Sequence, residues 1–252
     1  MIKQFLQKRV KIALGFLNTY IRKKGQAYDD TKWWDVSFYT EGISDRQTIS
    51  QKKSLITSKY HYTSMELQIL KHLRNNKIYV KQSNVLDIGS GSGHWIDFYK
   101  TIEVGNITGM DVSYSSFKFL AQKYSKDTNV EIHQGRALEV ISNLNGDYDI
   151  ANAVGVMFHI VDDAEWQDTI FSIADVLKNG GLFIIGGHFG FLDGLNVQID
   201  KDGSINKRLR SKRRWVRTLK EAGFRRIEIY RNKAYLWIND SLPENNVLVA
   251  TK

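Results

Sequence analysis

The chain has 252 residues, 42% of them hydrophobic, no cysteine and a net charge of +9. That length suits one α/β domain with an appendage, and the missing cysteine excludes disulfides, thiolate zinc sites and iron–sulfur clusters. No apolar run can cross a bilayer and the charged N-terminus lacks a signal peptide's apolar core, so a cytoplasmic location is expected, with nucleic acid, anionic lipid or an anionic small molecule open as acidic partners beside an ordinary solvated surface.

Met1 to Lys24 reads as an amphipathic helix, with Phe5, Leu6, Val10, Leu14, Leu17 and Ile21 near helical spacing and lysines and arginines opposite. Docking on the domain, pairing with a second copy as a homodimer, and peripheral contact with a membrane surface all suit such a helix. Residues 25–60 read as an irregular, aromatic-rich segment of the kind that covers a ligand site, continuing through Tyr60, His61 and Tyr62. Ser64–Arg74 reads as a helix with Met65, Ile69, Leu70 and Leu73 on one face.

From there strands and helices alternate, which implies a parallel sheet with right-handed crossovers. The expected strands are Asn84–Ile88, Ile107–Met110, Val130–His133, Tyr148–Val154 and Leu182–Gly187. The expected helices are Gly93–Thr101, Ser113-capped to Tyr124, Ala137–Leu144, and Asp162 or Asp163 to Leu177 with Asn179-Gly180-Gly181 as a stop. Asp202-Gly203 between two alternating runs predicts a small β insertion within 191–210. A basic helix, Ser211–Ala222, has Val216 and Leu219 facing inward and ends at Gly223. Phe224–Tyr230 and Asn246–Ala250 then form an antiparallel pair. In the run from Lys207 to Trp215, the tryptophan among basic residues suggests contact with nucleic acid or another anion, against a solvated helix face.

The most informative stretch is Val85-Leu86-Asp87-Ile88-Gly89-Ser90-Gly91-Ser92-Gly93-His94: a strand, a glycine turn with bare backbone, and a helix start with free N–H groups. Asp87 at the strand end would repel a pyrophosphate and suits a ligand that is neutral or cationic there. The stretch resembles the first motif of class I S-adenosylmethionine-dependent methyltransferases, V-L-D-x-G-x-G-x-G, and the resemblance continues over about residues 80–250. Asp149-Ile150-Ala151-Asn152-Ala153, Met157-Phe158-His159-Ile160 and Lys220-Glu221-Ala222-Gly223-Phe224 also resemble family segments.

The resemblance implies a Rossmann-like, doubly wound, seven-stranded and mostly parallel sheet with an antiparallel last strand. An N-terminal helical lid (1–78) precedes the cofactor-binding domain (79–252). It implies S-adenosylmethionine as cofactor, with Asp87, Ile88, Gly89, Ser90, Gly91, Gly93 and His94 around its methionine part. Asp111 would accept both ribose hydroxyls and Val112 would pack on the adenine, followed by Gly135, Arg136, Ala137, Ala153, Val154 and His159. The family has an acid where Arg136 stands, so a side-chain contact to the adenine amino group is in doubt there, and Arg136 is expected to point to solvent. Lid and substrate residues would be Tyr28, Trp34, Tyr39, Tyr60, His61, Tyr62 and His188, with His159 and His188 the candidate bases for a hydroxyl acceptor. No metal cluster is evident. Asn152-Ala153-Val154-Gly155 stands where amino-group methylases of nucleic-acid bases carry N-P-P-Y.

The expected activity is methyl transfer to a small or medium-sized metabolite, a sugar or natural-product hydroxyl preferred. The alternatives are an RNA or protein methyltransferase using the basic face 207–226, and a non-catalytic module that binds the cofactor.

Overall fold

The computed structural model describes residues 27–49, 54–187, 189–190, 193–198, 204–232 and 245–252. The expected helix over 1–24, His188 and the Asp202-Gly203 turn lie outside the described residues.

Helices α1 (Asp30–Glu41), α2 (Asp45–Ile49) and α3 (Leu55–Asn75) precede the sheet. Then come β1 (Asn84–Ile88), α4 (His94–Thr101), β2 (Asn106–Asp111), α5 (Tyr114–Lys123), β3 (Val130–Gln134), α6 (Ala137–Ile141), β4 (Tyr148–Val154), α7 (Asp163–Val176) and β5 (Leu177–Gly187). The chain ends with β6 (Leu195–Gln198), β7 (Ile205–Leu209), α8 (Lys212–Glu221), β8 (Arg226–Asn232) and β9 (Asn245–Thr251). The main sheet has the order β3-β2-β1-β4-β5-β9-β8, and β6 and β7 pair in a two-stranded sheet of their own. Strand β9 runs antiparallel to both neighbours, and the other pairings of the main sheet are parallel.

The strands read as apolar runs because both sheet faces are covered. Leu86, Ile88, Ala151, Phe183, Ile185 and Leu248 enter a core roofed by α7 and α8. Val85, Ile107, Ile150, Leu182, Ile184 and Val249 enter the opposite core, where α3 supplies Met65, Ile69 and Leu73. Period-two alternation therefore divides the two cores residue by residue. The order reverses between β1 and β4, both of which pair through Val85, with Ile107 and Ile150 as partners in register on its two sides. The crevice at the carboxyl ends of these strands is where an open α/β sheet takes a ligand.

Local differences from the sequence reading have physical causes. The aromatic segment is helical rather than irregular: Asp29 caps α1 by accepting from the Lys32 N–H at 3.0 Å. Helix α3 begins nine residues before the expected Ser64, because Ser54 caps it, and its opening apolar residues Leu55 and Ile56 are exposed and so lie off the buried face. Leu70 of its expected apolar face is exposed. Helix α7 ends at Val176, one residue before the expected Leu177, but β5 begins five residues before the expected Leu182: Leu177 is already extended and pairs with Tyr148, so Gly180-Gly181 belong to β5.

Candidate active site

The loops after β1, β2, β3 and β4 converge on a cleft of about 320 Å³, closed from above by α1 to α3. The first loop is bare backbone in left-handed geometry: Gly89 has φ +71° and Gly91 φ +55°. A side chain at Gly89 would meet Val156 Cγ2 at 2.3 Å, and one at Gly91 would meet Thr48 Cγ2 at 2.6 Å. Glycine is thus required twice over, by dihedral and by the close approach of neighbours.

At the end of β2, Asp111 is 7% exposed and lines the cleft. Its Oδ2 accepts from the Gly91 N–H at 2.8 Å, and its Oδ1 from the Ser113 N–H at 2.9 Å. Each carboxylate oxygen has a second lone pair, so acceptor capacity remains for two hydroxyls. Burial pushes its pKa up to about 6, against the stabilising N–H donors. Asp87 is fully buried beneath the loop and its Oδ1 accepts from Asn152 Nδ2 at 2.7 Å. Its Oδ2 has no partner, and burial pushes this carboxyl up to about 6 as well. Bare loop and buried acceptor together fit a nucleoside with a sulfonium-bearing amino-acid arm.

Four acids of the N-terminal helices bind the loops after β1, β2 and β3. Asp45 accepts from Ser92 Oγ at 2.7 Å and lies 2.7 Å from His94 Nδ1, while Glu66 lies 2.9 Å from His94 Nε2. Asp35 accepts from Ser113 Oγ and the Ser115 N–H at 2.6 and 2.9 Å. Asp30 accepts from Arg136 Nη2 at 2.6 Å. The small sheet holds the fourth loop: the Arg208 N–H donates to the Phe158 carbonyl, and His159 Nδ1 donates to the Asn206 carbonyl at 2.9 Å. That bond sets the tautomer and makes Nε2 the acceptor nitrogen of a neutral ring. Tyr28, Trp33, Trp34 and Phe38 form an aromatic wall along α1, and Trp34 meets His159 edge-on at 5.2 Å between ring centres.

A family model described as a methyltransferase domain matches residues 85–181, the span from β1 into β5 that supplies all four loops. Residues 85–181 carry a methyltransferase domain. Comparison with curated protein sequences finds no match. Among solved structures, the chain is similar to 1,6-didemethyltoxoflavin-N1-methyltransferase from Burkholderia thailandensis, with bound 1,6-didemethyltoxoflavin and S-adenosylhomocysteine. There the TM-score is 0.62 at 17% identity, over 91% of this chain and 92% of that one. It is also similar to magnesium protoporphyrin IX methyltransferase from Synechocystis PCC 6803 with bound S-adenosylmethionine: TM-score 0.59, 14% identity, 91% of this chain and 100% of that one. At these identities the likeness shows the fold.

In this methyltransferase domain the cleft brings together most of the residues expected from the sequence. Ile88, Gly89, Ser90, Gly91, His94, Asp111, Val112, Gly135, Arg136, Ala137, Val154 and His159 line it, with Tyr28, Trp34, His61 and Tyr62 from the lid. Asp87, Gly93 and Ala153 do not: Asp87 points into the core, Gly93 is the N-cap of α4, and Ala153 faces the α7 side of the sheet. Tyr39 is 88% exposed, because it lies on the outer face of α1, and Tyr60 is also outside the cleft. Arg136 does not point to solvent; it bridges Asp30 and Glu165. Trp33 and Phe38 of the aromatic segment line it as well, and Thr48, Val156, Phe158, Glu165 and Lys207 line it without having been expected there as site residues.

The basic run is also corrected. Trp215 is buried against Trp166 at 4.7 Å between rings. Arg208, Arg210 and Arg214 all bind Asp163, the first residue of α7. Among the described residues no cluster of three or more potential ligands could hold a metal, and no helix is long and apolar enough to cross a membrane.

Proposed function

We propose that this chain methylates a hydroxyl of a small or medium-sized metabolite, with an aromatic natural product favoured over a sugar. One observation carries the reading: a single cleft joins the bare glycine loop and Asp111 to an aromatic wall that ends at His159. The cofactor supplies a methyl group on a sulfonium, already activated for in-line displacement.

The chain's own residues then position and deprotonate. The Gly89–Gly91 loop would offer backbone to the methionine arm, and Asp111 would accept from the ribose hydroxyls. Val112 and Ala137 would hold the base, and Val154 and Gly155 line the cleft between them and His159. Trp34 and Phe158 hold a flat acceptor beside the methyl group, where alignment alone supplies up to ~7–11 kcal/mol of the barrier. His159 Nε2 takes the hydroxyl proton, since Nδ1 is committed to Asn206. The N-terminal helices exclude water from the site through Asp30, Asp35 and Asp45. A cytoplasmic setting suits such a reaction.

Calorimetric titration with S-adenosylmethionine tests the shared premise, followed by turnover assays on phenolic and glycosidic hydroxyl compounds. Saturable binding with methylation of a hydroxyl compound is the expected result. No binding at millimolar cofactor overturns the reading.

A further inference from the structure

We infer that Asp30, brought by the lid helix α1 and held by Arg136, is the acceptor that selects an amino-bearing purine in this cleft. The inference rests on the proposed reading of the cleft as the S-adenosylmethionine site. Residue 136 ends the loop after β3, beyond Asp111 as seen from the glycine loop. A nucleoside with its ribose on Asp111 therefore extends its base toward Gly135, Arg136 and Ala137, which line the cleft there.

An arginine at that place has no acceptor to offer an amino group. The structure surrounds it with two. Arg136 Nη2 donates to Asp30 Oδ1 at 2.6 Å, and Nη1 donates to both oxygens of Glu165 at 3.0 and 3.1 Å. Asp30 and Glu165 both line the cleft. The two carboxylates are not equivalent. Each oxygen of Glu165 already accepts from Arg136 and keeps one lone pair. At Asp30 the Arg136 bond and the Thr31 N–H bond both fall on Oδ1, at 2.6 and 2.9 Å. Asp30 Oδ2 keeps both of its lone pairs.

The charges explain the arrangement. Two carboxylates at one wall repel, and the guanidinium between them fixes their separation and their facing. The wall keeps a net negative charge and presents an acceptor. An adenine edge offers Asp30 an exocyclic N–H donor, whereas a 6-keto purine puts a carbonyl oxygen at that position, which cannot donate to the carboxylate and faces its charge. A site built to hydrogen-bond one group discriminates strongly against the analogue lacking it. Arg136 is the positioning residue, and Asp30 lies 106 residues away in the chain. Because Asp30 belongs to the lid, base recognition and lid docking become one event.

The test is calorimetric titration of the full chain with S-adenosylhomocysteine and its 6-keto analogue, S-inosylhomocysteine. The wild type is expected to prefer the adenine ligand by roughly 10²-fold or more. Asp30→Ala should bring the preference below about tenfold, weakening the adenine ligand by far more than the keto ligand. Asp30→Asn, whose amide oxygen still accepts, should fall between. A purely structural role for Asp30 weakens both ligands in parallel and leaves the ratio unchanged. That result, or a wild type that binds both ligands equally, overturns the inference. A wild type that binds neither overturns the cofactor reading itself.

Discussion

The Gly91 N–H donates to Asp111 Oδ2 at 2.8 Å, so the carboxylate at the end of β2 braces the glycine loop after β1. The proposed ribose acceptor thus also shapes the proposed methionine loop. Asp111→Ala should lower S-adenosylmethionine affinity by roughly 10²–10⁴-fold, from two lost hydroxyl bonds of roughly 1.5–3 kcal/mol each. Burial raises this carboxyl to about 6, and the ionised form is the better double acceptor. Affinity in the wild type should therefore fall as pH drops through 6, approaching tenfold per unit. Calorimetry from pH 5 to 8 checks both statements, and a pH-independent affinity would remove Asp111 from the ribose assignment.

Asp87 is fully buried with one oxygen unpartnered and a pKa near 6. Its folded-state pKa lies above its unfolded value. The carboxyl is thus least costly below about pH 4 and increasingly destabilising as pH rises through 6. Asp87→Asn keeps the bond from Asn152 and removes the ionisation. It should stabilise the protein at pH 7 by on the order of 2–3 kcal/mol, and by nothing at pH 3.5. Urea unfolding at the two pH values measures the difference; an equal effect at both would mean that ionisation is not the cause.

Asp163 accepts from Arg208 Nε and Nη2 at 2.9 and 2.7 Å, from Arg210 Nε at 3.0 Å and from Arg214 Nη1 at 3.1 Å. Burial works against the charge of Asp163, but the hydrogen bond from Arg208 and the three guanidinium charges hold its pKa below the usual range. Arg210 is 1% exposed and its guanidinium lies 4.5 Å from the Trp166 ring centre. Asp163→Ala strands that buried cation. The expected cost is about 2–4 kcal/mol, at or below the fully buried range because Asp163 is one-third exposed. A loss under about 0.5 kcal/mol in chemical denaturation would show the cluster to be merely superficial.

The sequence exposed the sheet more clearly than the lid. Strand β1 is an apolar run stopped by glycines, and Ser113 caps α5 as its side-chain chemistry suggests, accepting from the Ser116 N–H at 3.1 Å. These are local signals. Helices α1 and α2 are short and mix aromatic with polar residues without a sustained apolar stripe, so no periodicity announces them. Contacts such as Arg136 with Asp30 depend on the tertiary fold, and nothing near Arg136 in the chain hints at its partner. The basic run misled for a related reason. Composition counts the arginines of 208–214 but does not tell which of them turn inward to Asp163. Trp215 looked like a nucleic-acid contact because its burial against Trp166 is invisible in one dimension.

His159 is the residue whose role separates chemistry from binding. Its Nδ1 donates to Asn206, its ring meets Trp34, and its backbone N–H donates to the Val156 carbonyl at 2.7 Å. The imidazole is therefore held by Asn206 and Trp34, on a backbone fixed at Val156, before any acceptor arrives. If Nε2 removes the hydroxyl proton, His159→Ala should lower kcat by roughly 10²–10⁴-fold. Cofactor affinity, which rests on Asp111 and the glycine loop, should change by less than about threefold, a surface-mutation scale effect of under ~0.7 kcal/mol. His159→Gln restores a hydrogen-bonding side chain without a competent base, so it should bind acceptor better than the alanine variant yet remain slow. Single-turnover rates with saturating cofactor measure the chemical step directly. A His159→Ala enzyme within tenfold of the wild-type rate would leave His159 as a wall residue and return the proton to solvent.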